Sequence, residues 1–193
     1  MSNQAKSSRL IKLIVIGLLG AISLILFFIS FPLPILPPYL KVDFSDIPAL
    51  IAGIIFSPIA GVLVILVKNG LYFVISGATD PVGVVANFLA GSVFIFPVAY
   101  FYHKMKSVKG VLLGLLLGTL AMTIVMGVLN YLFILPAYAV FLGVEMTPTV
   151  KLTTVAVGIL PFNILKGVII SLLFVPLFIK LGDWIQSQRL KYI

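Results

Sequence analysis

Cysteine is absent from this sequence and charge is scarce: 9% of the 193 residues are Asp, Glu, Lys or Arg, with a single histidine. Without cysteine, disulfides, thiolate metal sites and cysteine nucleophiles are excluded. The shortage of charge excludes a soluble domain, in which about a quarter of the residues are charged. At 62% hydrophobic, the chain would present large apolar patches to water and aggregate. In a bilayer the same composition suits helices whose outward faces must be apolar. Acids number only five, at Asp43, Asp46, Asp80, Glu145 and Asp183, each at the end of an apolar segment. His103 sits beside Lys104 in a basic loop. Hydrolysis inside a membrane needs paired carboxylates, a Ser/His arrangement or metal ligands. None can be assembled at depth, so the chain is not expected to be an enzyme, and no catalytic residue, metal or cofactor is expected.

What remains is a series of long apolar runs. A crossing needs about 20 apolar residues. The first run, 10–31, ends in FPLPILPP, because proline cannot continue a helix and biases the residue before it toward extended backbone. Residues 46–56 are too short to span in full and read as a short second helix. Pro58 then opens a third, 59–76. A turn at GATDP leads to the fourth, 82–102, with Pro97 inside it. The fifth follows HKMKSVKG, covering 111–135 with an outer extension to Leu142, and the sixth covers 155–181 before a polar tail. No cleavable signal peptide is expected, since no small-residue cleavage site follows the first run. No repeat divides the chain. The expected fold is one all-α membrane domain, 1–193, of six transmembrane helices.

The net charge of +8 does not point to nucleic acid, which needs a contiguous basic face. Lys6, Arg9 and Lys12 precede the first span; Lys104, Lys106 and Lys109 separate the fourth and fifth; Lys180, Arg189 and Lys191 follow the sixth. Six crossings put all of these on one side, leaving the other with Lys41, Lys151 and four of the acids. The positive-inside rule then makes both termini cytoplasmic.

Two lysines, Lys68 and Lys166, fall within spans, where a charge costs at least ~2.5–3.5 kcal/mol and normally faces the bundle interior. Lys68 is expected to pair with Asp43 or Asp46. Asn69, Asn87, Asn130 and Asn163 also fall in the spans, and the topology puts Asn87, Asn130, Asn163 and Lys166 in the outer half. Asn163 and Lys166, three apart, share a helix face. Asparagines in bundles commonly hydrogen-bond between helices, and one alone would be read that way. Four polar residues at one depth, one of them a lysine with no evident counter-charge, form a site. Amides supply donors and acceptors and lysine supplies donors, which suits the heteroatom edge of a planar ligand, with Tyr131, Phe88 and Phe162 as apolar contacts.

In order along the chain stand PPYLKVDFSDIPALIAG (37–53), SPIAG (57–61), LVKNGLYF (66–73), DPVGVVANFLAG (80–91), VLNY (128–131) and GILPFNILKG (158–167). Together they resemble the riboflavin-specific S components of energy-coupling factor (ECF) transporters, the RibU family, over essentially the whole chain. The resemblance implies a six-helix subunit that captures riboflavin, or a related flavin such as its mononucleotide, from outside, in a pocket closed by the loop after the first span. A transmembrane coupling protein and two cytoplasmic ATPases then drive release inward. It implies flavin contacts at Asn130, Asn163 and Lys166, with Asn87, Leu40, Lys41 and Asp43 as further candidates. Coupling-protein docking would use small residues four apart on the first helix, here Gly17 and Ala21; packing inside the protein's own bundle is the other reading of that pair. No GxxxxGK[ST] loop occurs, so ATP hydrolysis must come from partners. A stand-alone carrier is the competing architecture. Such proteins commonly show duplicated halves, and none is visible here.

Overall fold

Proline and glycine set the punctuation of the bundle. In the computed structural model, which describes residues 3–192 and, of these, the side chains of 10–185, 187 and 188, α1 (Asn3–Phe28) stops three residues earlier than expected. Phe31 precedes Pro32, so it takes extended backbone. Phe31–Pro32 (β1) pairs antiparallel with Lys41–Val42 (β2), Phe31 opposite Val42. Lys6, Arg9, Arg189 and Lys191, used above to orient the chain, have side chains outside the described residues.

After the hairpin come α2 (Asp46–Ile55), α3 (Pro58–Ile75), α4 (Pro81–Met105) and α5 (Val108–Leu129). Ser57, Asp80 and Ser107 cap the last three, each side chain accepting from the amide three residues on. Pro58 and Pro81 fill first-turn positions, where no N–H is needed. α5 continues through a π-helical turn, Asn130–Ile134, into α6 (Leu135–Leu142). Likewise α7 (Pro148–Thr153) continues through a second π turn, Thr154–Ile159, into α8 (Leu160–Lys180). The expected polar tail is helical, α9 (Gly182–Tyr192). Among the described residues, five helices are long and apolar enough to cross a membrane: Leu10–Phe28, Pro58–Ile75, Pro81–Met105, Val108–Leu142 and Pro148–Lys180.

The π turns were not foreseen. Each lies just ahead of a proline, Pro136 or Pro161. Proline offers no N–H to the carbonyl four residues back, which is Leu132 or Val157, inside the π turn. Widening the helix by one residue redirects the bonding: Leu135 N–H reaches Asn130 O, and Leu160 N–H reaches Val155 O.

Glycines let the helices close up. A β-carbon at Gly110, Gly114 or Gly118 of α5 would lie 2.8 Å from Phe101 O, 2.5 Å from Val98 Cα or 2.6 Å from Phe94 O, all on α4. Small residues at this spacing let two backbones meet in a membrane. α2 occupies the centre, with every residue buried except Ile47 and Ile51. Its ten residues cover only about 15 Å. At its far end His103 Nε2–H donates to Gly53 O at 2.8 Å, and Lys12 lies 5.6 Å over the Phe56 ring. At its near end Asp46 lies against Gly91, where a β-carbon would sit 3.3 Å from Asp46 Oδ1. Gly91 is midway along α4, so α2 begins halfway down the bundle. The end of the connection, residues 42–45, must therefore run into the interior, where Val42, Asp43 and Ser45 are buried; backbone outside a helix tolerates this only when enclosed by protein.

Candidate functional site

The descending loop carries acids to the middle of the helices. Asp43 and Asp46 are 1% and 0% exposed, although the sequence suggested segment-end positions on the outer side. Lys166 Nζ on α8 lies 3.1 Å from Asp46 Oδ2 and 3.7 Å from Asp43 Oδ2. Lys166 therefore does have a counter-charge, contrary to expectation, and it has two. The signal that could have found Asp46 was the length of α2: a helix too short to span has to start inside the bundle.

Lys68 is also fully buried, and its direct partners differ from those expected. Its amine donates to Asn87 Oδ1 at 2.6 Å and to Ser45 Oγ at 3.0 Å, and lies 4.8 Å over the Phe27 ring. Among the described residues no carboxylate is within ion-pair distance of it. The acids still reach it through Ser45, whose amide and hydroxyl both donate to Asp43 Oδ1. Ser23 of α1 closes the network by donating to Ser45 O. Sequence reasoning missed Ser23 and Ser45. Burial alone would raise the Asp43 carboxyl. The charges of Lys166 and Lys68, with the Ser45 bonds, outweigh it and hold Asp43 below the usual carboxylate range.

A second group lies beside this network, joined to it by α8. Asn130 opens the first π turn, and its Nδ2 donates to Met126 O at 2.7 Å. Asn163 follows the second, and its Nδ2 donates to Ile159 O at 2.8 Å. Both side chains are buried. Each spends one amide hydrogen on its own helix and keeps the other, with Oδ1, for another partner. Tyr131 and Leu40 pack with Leu135, Val155 and Ile159, and Lys151 lies 5.1 Å over the Tyr131 ring. A methyl group at Gly158 would touch Pro37 and Leu40 at 3.6 and 3.7 Å, so the loop rests on the second π turn. Phe88 and Phe162 are half-buried.

The structure thus gathers Asp43, Asn87 and Lys166 into one network, and Leu40 and Tyr131 into an adjoining apolar cluster. It does not bring Lys41 in: strand alternation buries Val42 and leaves Lys41 exposed. Gly17 and Ala21 lie one turn apart on α1, far from these residues in sequence. Among the described residues nothing within 4 Å would meet a β-carbon at Gly17, whereas neighbouring Ile16 is buried in the bundle.

The model for the ECF transporter substrate-specific component matches residues 11–178. A riboflavin transporter of Bacillus subtilis (strain 168), FmnP, is 49% identical over 185 residues, 94% of this chain and 97% of that protein. A riboflavin transporter of Staphylococcus aureus (strain TCH60), RibU, is 44% identical over 176 residues, 91% of this chain and 92% of that protein. Among solved structures, the S component of a bacterial ECF transporter shares 44% identity and superposes with a TM-score of 0.78, covering 91% of this chain and 98% of its own. With its apolar helices, the chain is a multi-pass protein of the bacterial cell membrane, a transport component and not an enzyme. The match runs through nearly every helix described above, and the chain belongs to the family of substrate-specific components of ECF transporters.

Proposed function

We propose that this chain is the riboflavin-binding subunit of an ECF uptake transporter. It crosses the bilayer six times with both termini cytoplasmic. It captures the vitamin from outside and passes it inward together with a transmembrane coupling protein and two cytoplasmic ATPase subunits. The observation that carries this reading is the near end-to-end match, at 49% identity, to a protein named as a riboflavin transporter.

The geometry supports it. Isoalloxazine is a flat ring system with apolar faces and one edge of carbonyl oxygens and ring nitrogens. Leu40 and Tyr131 supply apolar surface, while the free amide groups of Asn130 and Asn163 and the amine of Lys166 supply matching polar contacts. Asp43 and Asn87 act in this reading as the frame that fixes the lysines, and Lys41 stands at the mouth. The loop that carries Leu40 and Asp43 is the closure over the pocket. On α1, the open space at Gly17 with Ala21 one turn on is the docking stripe for the coupling protein.

The test is to extract the protein gently from flavin-supplied cells and identify any bound small molecule by mass, then to titrate riboflavin against protein fluorescence. A bound flavin and a saturable change are expected. Protein that carries no flavin and shows no change on titration would reject the ligand. In liposomes, sustained uptake against a gradient without the ATPase partners would reject the subunit reading.

A further inference from the structure

Four ionisable side chains are enclosed together in the bundle: Asp43, Asp46, Lys68 and Lys166, at 1%, 0%, 0% and 4% exposure. Two negative and two positive charges sum to zero. Lys166 pairs with both acids, and Ser45 links Lys68 to Asp43, so they form one network. Asp46 differs from the others. Among the described residues, Oδ1 has no hydrogen-bond donor and Oδ2 has only the ion-pair contact with Lys166. Its charge is satisfied by the field of the lysines, as theirs is by its own. Lys68 is likewise turned to Asn87 and Ser45, with Phe27 beneath it, and is given no contact with substrate.

We propose that this balanced set keeps the flavin site electrically neutral, and that Asp46 and Lys68 thereby determine its preference for uncharged riboflavin over the phosphate ester, flavin mononucleotide. The inference rests on the riboflavin reading above. A phosphate brings about −1.5 to −2 charges. Entering an enclosed site it gives up hydration, and a neutral site returns no net attraction. The ribityl alcohol of riboflavin carries no charge to lose. Removing the Asp46 charge leaves the site at +1, and removing the Lys68 charge leaves it at −1. At an effective dielectric of about 20 and a separation of about 10 Å, one such charge alters phosphate-ester binding about tenfold or more and scarcely acts on the neutral vitamin. Lys41 and Lys151 lie nearer the mouth and are common to every variant, so they cancel from the comparison.

The experiment measures dissociation constants for riboflavin and flavin mononucleotide by fluorescence titration on the purified full-length protein, for wild type, Asp46→Asn, Lys68→Met and the double variant. The ratio Kd(mononucleotide)/Kd(riboflavin) is expected to fall at least about tenfold in Asp46→Asn, to rise at least about tenfold in Lys68→Met, and to return to the wild-type value in the double variant. The signs should hold from about 0.1 M to about 1 M salt, because buried charges are poorly screened. A purely structural role would weaken both flavins together and leave the ratio unchanged, and that result overturns the proposal. If Asp46→Asn is not recovered monodisperse, the ratios in Lys68→Met and the charge-balanced double variant decide. Wild-type protein that binds neither flavin overturns the riboflavin reading itself. Wild-type protein that binds riboflavin while the variants keep its ratio overturns this inference alone.

Discussion

In the riboflavin reading proposed above, Lys166 serves two sets of partners. Asp43 and Asp46 hold it from one side, and the proposed ligand meets it from the other, on the helix face it shares with Asn163. The two residues should therefore respond differently to truncation. Asn163→Ala removes one polar contact and is expected to weaken riboflavin binding by ~1–3 kcal/mol with little change in melting temperature. Lys166→Ala loses a similar amount of binding and also strands two carboxylates, which costs a further ~3–5 kcal/mol of stability. Titration and thermal unfolding on the same samples separate the two effects. Asp43 has a pH signature. Its folded carboxyl is held below the usual carboxylate range by Lys166, Lys68 and Ser45, so its stabilisation is fully present above that range and is lost as pH falls through the lowered value. Asp43→Asn should lack this acid limb, which melting temperatures measured from neutral pH downward will show. The shared face of Asn163 and Lys166 was legible from spacing alone. The pairing of Lys166 was not, because its partners come from a loop far away in sequence, and helical periodicity carries no information about such contacts.

At the scale of elements, the helices and most of their ends were legible, since Ser57-Pro58, Asp80-Pro81 and the 31–38 prolines act locally on backbone geometry. The π turns were not legible: Pro136 and Pro161 stand in the sequence, but whether a helix kinks or widens at a proline depends on what packs beside it. α2 was legible in length and not in consequence. The glycine stripe of α5 passed unnoticed because glycine spacing has meaning only once its neighbour is known. That stripe makes a sharp prediction. Gly114→Ala would place a methyl 2.5 Å from Val98 Cα, where backbone and not a movable side chain stands in the way. Overpacking of this kind costs typically ~1–3 kcal/mol, to be read as a lower melting temperature in detergent. Leu116→Ala on the exposed face of the same helix is the control and should melt close to wild type.

For the whole molecule, the proposed orientation and assembly can be tested without disturbing the site. The native chain has no cysteine, so single cysteines report unambiguously. In intact cells an impermeant maleimide should label Thr79→Cys, in the turn before α4, and spare Lys104→Cys, at its far end; the reverse pattern would invert the topology. Gly17→Leu fills the open space on α1. It is expected to abolish co-purification with the coupling protein while leaving riboflavin titration unchanged, whereas a change in riboflavin affinity would place Gly17 in the bundle's own packing. One further consequence belongs to α2. It is fastened at both ends, to His103 and Lys12 at its C-terminal end and to Lys166 at its first residue. A single buried rod pinned in this way transmits displacement along its length and has little freedom to absorb it. A push where α4 ends is thus delivered, as through a lever, to the buried charges beside the proposed flavin site about 15 Å away.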